Sequence, residues 1–204
     1  AVARIYAKRI NRQYEELNLI VAHIDGGISI SAHRKGRMVD GNDGGGGEGP
    51  FTPTRMGSMA ISDVIEYLWD KPKSEMKELI SVSGGVTSYF GTSNTDKIYE
   101  MAKKGDHKAK RVLDAMVYQC AKQIGAMSVV LKGKVDAILL TGGLLRFDFV
   151  KEGIKERCAF IAPIEVFAGE YEQKALALNA LMILRGEKKA LHYTGESVFK
   201  GFDD

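Results

Sequence analysis

Cysteine is nearly absent. The 204 residues contain only Cys120 and Cys158, with no Cys-x-x-Cys pair. That excludes a disulfide framework and suits a reducing, cytoplasmic setting. Cys120 falls on the apolar stripe Leu113, Met116, Val117, Cys120, Ile124 and Met127 and reads as a small buried hydrophobe. Long runs of one charge are also missing. Lys and Arg total 29 against 26 Asp and Glu, a net charge of +3. This mild excess argues against a nucleic-acid partner and leaves small anionic ligands open. No apolar run is long enough to span a bilayer and no signal peptide is visible, so no membrane partner is expected. His33, His107 and His192 have no partner spacing and read as surface residues. An initiator Met is lacking, and the chain opens directly in a helical pattern, as expected of a piece of a longer protein.

What is present is enough apolar sequence, 45%, for one large domain or two small ones. Val2, Ile5, Tyr6 and Ile10 recur at helix spacing, predicting a helix that ends before Asn18. "LNLIVAHI" reads as a strand buried on both faces apart from His23. "GISISAHRKGRMVD" alternates about a tight turn at Lys35-Gly36, predicting a hairpin. Residues 41–53 hold six glycines and two prolines and must be a long loop, either functional or a disordered linker. Helices follow at "SDVIEYLWD" (Ser62 as N-cap), "KSEMKELIS", "TDKIYEMAKKG" and the long run from His107, capped by Asp106. "SGGVTSYFGTSN" reads as a Gly-rich turn. "VDAILLTGG" and "AFIAPIEVFAG" read as strands, "LLRFDFVKEGIKERC" and "EYEQKALALNALMILRG" as helices, the last stopped by Gly186. The order predicts one α/β domain over residues 1–186, a mixed sheet flanked by helices, with a charged tail at 187–204.

Two strands end in glycine pairs, Gly26-Gly27 and Gly142-Gly143. Without a Cβ, such turns allow backbone N–H groups to approach phosphate, although each alone is more often only a turn. The second pair leads into a helix, whose N-terminus favours anions. A phosphate hairpin combined with a strand–Gly-Gly–helix is the pattern of the actin-like superfold. No Gly-x-x-x-x-Gly-Lys-[Ser/Thr] loop occurs.

"LNLIVAHIDGGISISAHRKGRMVD", "GEGPFTPTRMG", "VDAILLTGG" and "FIAPIEVFAGEYEQKALALNALMILRGE" together closely resemble the butyrate kinases, relatives of acetate kinase. The most specific element is "GPFTPTR" at 49–55 following "HIDGGIS" at 23–29. The resemblance runs from Val2 to about Gly186. It implies one lobe of the acetate-kinase/actin-like (ribonuclease H-like) fold, the C-terminal nucleotide-binding lobe, with the N-terminal lobe missing. The implied chemistry is transfer of phosphate from ATP to a short-chain carboxylate such as butyrate, giving ADP and an acyl phosphate, with Mg²⁺. A homodimer or larger homo-oligomer built through this lobe is implied as well.

The same resemblance suggests roles. His23 would hydrogen-bond the transferring phosphoryl group, against the reading of a satisfied core histidine. Arg55 would stabilise that group in transit, where a guanidinium fork suits the spread charge. Gly26 and Gly27 would approach phosphate, and Gly142 and Gly143 the adenosine. Gly91, Thr92, Ser93 and Asp96 would contact the nucleoside, with an ordinary helix N-cap as the rival reading. Glu172, or failing it Glu170, would lie near Mg²⁺, with a helix-terminal acidic residue as rival.

Three departures bear on competence. Asp25 stands where the family usually has glycine. "GNDGGGGEG" replaces a richer loop that carries an Asp at the position of Gly46, and "LLRFDF" replaces a small polar run. Asp25 has three readings: it points away from the cleft, it holds Mg²⁺ through water, or it marks a weakened phosphate site. A nucleotide-binding or interaction module without catalysis is therefore the rival expectation. Another actin-like ATPase or sugar kinase fits the glycine turns but not "GPFTPTR".

Overall fold

The computed structural model describes residues 1–167, 169 and 171–196, with the Glu172 side chain outside that description. It divides into two compact units, residues 1–170 and 171–204.

The apolar runs of the first unit become a five-stranded sheet. β1 (Asn18–Ile24), β2 (Ile28–Arg34), β3 (Arg37–Gly41), β4 (Ala137–Thr141) and β5 (Ile164–Phe167) lie in the order β3-β2-β1-β4-β5. β1, β2 and β3 form an antiparallel meander, whereas β1–β4 and β4–β5 are parallel. The mixed sheet is the one the sequence predicts. Lys35 and Gly36 both take positive φ, 49° and 83°, making the tight two-residue hairpin turn.

Strand alternation sorts the core into two faces. Ile20, Ala22 and Ile24 of β1 and Ile138 and Leu140 of β4 join the main core with α6 (His107–Val130), α5 (Thr95–Lys103) and α7 (Asp148–Cys158). The α6 stripe Val112, Leu113, Met116, Val117, Cys120, Ile124 and Met127 is buried as its period requires. A Cβ on Gly153 would stand 2.8 Å from Val117 Cγ1, which is how closely α7 approaches α6. The opposite face carries Leu19, Val21 and His23 beside Ala137, Leu139 and Thr141, covered by α1 (Val2–Arg9). Burial pushes the Cys120 thiol up to about 12 and that of Cys158 up to about 11, so both are packing groups. Among the described residues, no helix is long and apolar enough to cross a membrane.

Several boundaries differ from expectation. α1 stops at Arg9, because Asn11 turns left-handed (φ 54°), and only a 3₁₀ turn at Tyr14–Glu16 follows before β1. α2 (Ile61–Leu68) starts after Ala60, so Ser62 is inside the helix and not its cap. "GVTSYF" forms a short helix, α4 (Gly85–Phe90), and not a plain turn, after α3 (Lys73–Ser81). Asp106 does cap α6, accepting from Ala109 N–H at 2.9 Å. In the second unit, α8 (Glu172–Leu184) ends just before Gly186, whose φ is 72°.

His33 is also not a free surface residue. Its Nδ1 lies 2.6 Å from Tyr14 Oη, and its Nε2 3.0 Å from Ser31 Oγ. A neutral ring protonated on Nε2 accepts from Tyr14 and donates to Ser31, and Ser31 in turn donates to the Val21 carbonyl at 3.4 Å. Burial, aided by the positive N-terminus, holds His33 below the ordinary imidazole range. Arg4, over the Tyr14 ring at 5.6 Å, adds to the positive surroundings. The unfolded chain therefore binds more protons below about pH 6.5, and stability must fall on acidification through that value. The expected outcome is a drop in Tm between about pH 7.5 and about pH 5.5 that is smaller in His33→Gln than in the unaltered chain. Thermal melts at the two pH values check it.

Candidate functional site

Parallel pairing of β1 with β4 sets His23 beside Thr141, and both strands then run into glycine at the same level. On its other side His23 faces Ser29 of β2. Gly142 has φ 108°, and a Cβ there would stand 2.4 Å from the Ile24 carbonyl oxygen. The two glycine turns thus abut, backbone against backbone, at a point where only glycine fits. Gly26 is different, since a Cβ added to it would meet nothing within 4 Å.

Asp25 joins the turns. Its Oδ1 accepts from Gly26 N–H at 2.8 Å and its Oδ2 from Gly143 N–H at 2.7 Å. The Asp25 N–H donates to the Gly27 carbonyl at 3.0 Å, closing the first turn. Asp25 therefore does not point away from the cleft.

Arg55 reaches the first turn from the proline-rich block. Thr52 is buried and orders that block. Its Oγ1 accepts from Arg55 N–H at 2.9 Å and Thr54 N–H at 3.2 Å, while its carbonyl accepts from Val86 N–H of α4 at 3.0 Å. Gln119 of α6 accepts from Phe51 N–H at 2.9 Å. Held this way, the Arg55 guanidinium lies on Gly27, where a Cβ would stand 2.8 Å from Nη1, and Nη1 donates to the Gly44 carbonyl at 3.3 Å. Among the described residues no carboxylate pairs with Arg55. Beside the same block a mainly apolar cavity of about 550 Å³ opens against Phe51, Met56, Met59, Val64, Leu68 and Tyr89.

The glycine loop is ordered and is not a linker. Asn42 Oδ1 accepts from Ile30 N–H at 2.7 Å, and its Nδ2 donates to the Ile28 and Glu48 carbonyls. Asp43 Oδ1 accepts from the N–H groups of Gly45 and Gly46, at 3.1 and 2.9 Å.

The segment 91–96 meets the second turn through Arg146, a residue the sequence reading flagged only as part of a departure. Its Nε and Nη2 donate to both Asp96 oxygens at 3.2 and 2.8 Å, Nη1 donates to the Gly143 carbonyl at 2.9 Å, and the group lies 4.3 Å over the Phe147 ring. The hydrogen bonds from Arg146 hold the Asp96 carboxyl below the ordinary carboxylate range. Asn94 is the cap of α5, accepting from Lys97 N–H, so neither Thr92, Ser93 nor Asp96 caps it. Thr92 Oγ1 accepts from Asn94 N–H at 3.2 Å, and Gly91 is the left-handed stop of α4. Glu170 and the Glu172 side chain lie outside the described residues.

The acetokinase family model matches residues 1–153. The chain belongs to the acetokinase family. It is 46% identical over 189 residues to a probable butyrate kinase of Bacteroides thetaiotaomicron, covering 92% of this chain and 54% of that protein. The acetate kinase of Porphyromonas gingivalis is 21% identical, with a TM-score of 0.80 over 90% of this chain and 53% of that one. A propionate kinase of Francisella tularensis is 22% identical, with a TM-score of 0.73 over 83% and 50%. These two likenesses show that the acetokinase fold is shared. The chain spans about half the length of the relatives it matches.

The abutting turns make unequal demands on their glycines. Gly142→Ala combines a positive φ with a backbone collision and is expected to destabilise by roughly 2 kcal/mol or more. Gly26→Ala has open space and is expected to change stability by less than about 0.5 kcal/mol. Urea denaturation of the two variants checks the contrast.

Proposed function

We propose that this chain is the C-terminal, nucleotide-binding lobe of a butyrate-kinase-like phosphotransferase. ATP and a short-chain carboxylate are its substrates, and ADP and an acyl phosphate its products. The observation that carries the reading is the Arg55 guanidinium lying on Gly27 with no described carboxylate paired to it. A cation fixed over a glycine turn is a receptor for a phosphoryl group. Family membership supplies the reaction class, and the probable butyrate kinase supports a short acyl chain.

In this reading a carboxylate oxygen attacks the γ-phosphorus while the bond to the ADP oxygen breaks. Arg55 neutralises charge on the equatorial oxygens, and His23, one strand from Thr141, donates a hydrogen bond to the transferring group. Gly26 and Gly27 approach the phosphates. Gly142 and Gly143, with Gly91, Thr92 and Ser93, face the nucleoside.

Among the described residues no three metal-ligating side chains come together. A Mg²⁺ carried by phosphate keeps most of its waters and asks little of the protein, and Glu172 is the proposed carboxylate near it. When bound, that ion would neutralise phosphate charge. The reading further includes a complementary N-terminal lobe, a homodimer and a cytoplasmic setting.

One observation favours a second reading, a nucleotide-binding module without turnover. The N–H groups of Gly26 and Gly143 are already occupied by Asp25.

Alone, the chain offers one wall of the cleft. ATP, Mg²⁺, butyrate and hydroxylamine incubated with it should give no acyl hydroxamate, because aligning donor with acceptor needs both walls. Trapped hydroxamate would show that no further lobe is needed. In a protein joining this chain to its complementary half, Arg55→Ala should lower kcat roughly 10³-fold with ATP KM little changed. Near-normal kcat would remove Arg55 from the mechanism and, with it, the observation on which the reading rests.

A further inference from the structure

We infer that Asp25 is a built-in anion that occupies phosphate donors of the nucleotide site, so that this chain discriminates against the phosphates of an adenine nucleotide and not against its nucleoside. The inference rests on the proposed nucleotide-binding reading and deepens it.

The geometry is that of a bound anion. One carboxylate spreads its two oxygens over two backbone N–H groups from different turns, Gly26 at 2.8 Å and Gly143 at 2.7 Å. Both are short, charge-assisted bonds. Gly143 opens the 3₁₀ turn Gly143–Arg146 that leads into α7, and Gly26 belongs to the β1–β2 turn. An oxygen of a polyphosphate laid across these turns asks for the same two donors. With Asp25 in place, such an oxygen loses both donors and meets a like charge.

The effect is confined to one side of the site. Arg55 lies on Gly27 and bonds to the Gly44 carbonyl, so it stays available to the transferring phosphoryl group. Arg146 ties Asp96 to Gly143 and holds the proposed nucleoside segment whether or not Asp25 carries charge. Asp25 therefore sets phosphate affinity without setting nucleoside affinity.

The test is calorimetry on the 204-residue chain, Asp25→Asn and Asp25→Gly, with ATP, adenosine and pyrophosphate as probes, with and without Mg²⁺. Asn keeps one acceptor oxygen, and with it part of the tie between the turns, while removing the charge. Gly frees both donors. In the unaltered chain, ATP is expected to bind no more than about threefold tighter than adenosine. In Asp25→Asn, ATP and pyrophosphate should each tighten by roughly five- to tenfold without Mg²⁺ while adenosine stays unchanged.

Unchanged or weaker anion binding in both variants overturns the inference, and if adenosine still binds, the nucleotide reading stands. If pyrophosphate tightens while adenosine binds to no form, the nucleotide reading fails and the inference survives. ATP and adenosine weakening in parallel would make Asp25 a structural tie only. ATP weakening in Asp25→Asn only when Mg²⁺ is present would make it a metal ligand. Either result overturns the proposal.

Discussion

The parallel register of β1 against β4 is the constraint on which the site depends. Leu19 to His23 pair with Ala137 to Thr141 residue by residue, so the two strands reach their ends together. Whatever follows must share a few cubic ångströms. Gly142 solves that with a positive φ and no Cβ against the Ile24 carbonyl. Without that contact the turns would part, and Asp25 could not span them. The strands are held in turn by their burial. Every residue of β4 is buried, and α6 and α1 cover opposite faces. A shift of one residue would send Ile138 and Leu140 to the wrong face.

Arg55 is positioned by a different and more local logic. Proline-rich sequence has few N–H groups to pair, so the block at 50–55 is organised by one hydroxyl and one carbonyl of a single buried threonine. Thr52 folds the turn on itself and docks it on the start of α4. The glycines across from it are there for proximity. A Cβ on Gly85 would meet the Thr52 carbonyl oxygen, and one on Gly44 the Ile28 carbonyl oxygen. Backbones pack against backbones around the guanidinium. The arginine needs no ion pair to stay in place, which leaves its charge for a ligand.

Much of this was legible in the sequence. Five strands and the long helices follow from period and capping, because a buried strand and an amphipathic helix write their environment into consecutive residues. The glycine turns and the "GPFTPTR" block marked the site region, and Arg55 and Gly27 do meet. What escaped has a common cause in sequence separation or weak local signal. Asp25 finds Gly143 118 residues away, and Arg146 finds Asp96 50 residues away. No period reports such a pairing. α1 ended early because a single Asn adopting left-handed backbone outweighs a few more turns of fading periodicity. His33 looked like a surface residue because its partners, Tyr14 and Ser31, sit where no motif spacing links them.

The departures from family pattern now have a physical sense. A glycine turn built to receive anions exposes N–H donors that must be satisfied by ligand, water or protein. In this chain the protein satisfies two of them itself, through Asp25. The turns are then complete with no ligand bound, and their shape does not depend on nucleotide. The same arrangement lowers what a phosphate can gain on arrival. Arg146 acts in the same sense on the nucleoside side, fastening segment 91–96 to the second turn through both oxygens of Asp96. Fold and ligand affinity, which reinforce each other when phosphate closes the turns, are uncoupled here. The site can keep its geometry while its grip on phosphate changes, and the residue that separates the two is the single carboxylate in the middle of "HIDGGIS".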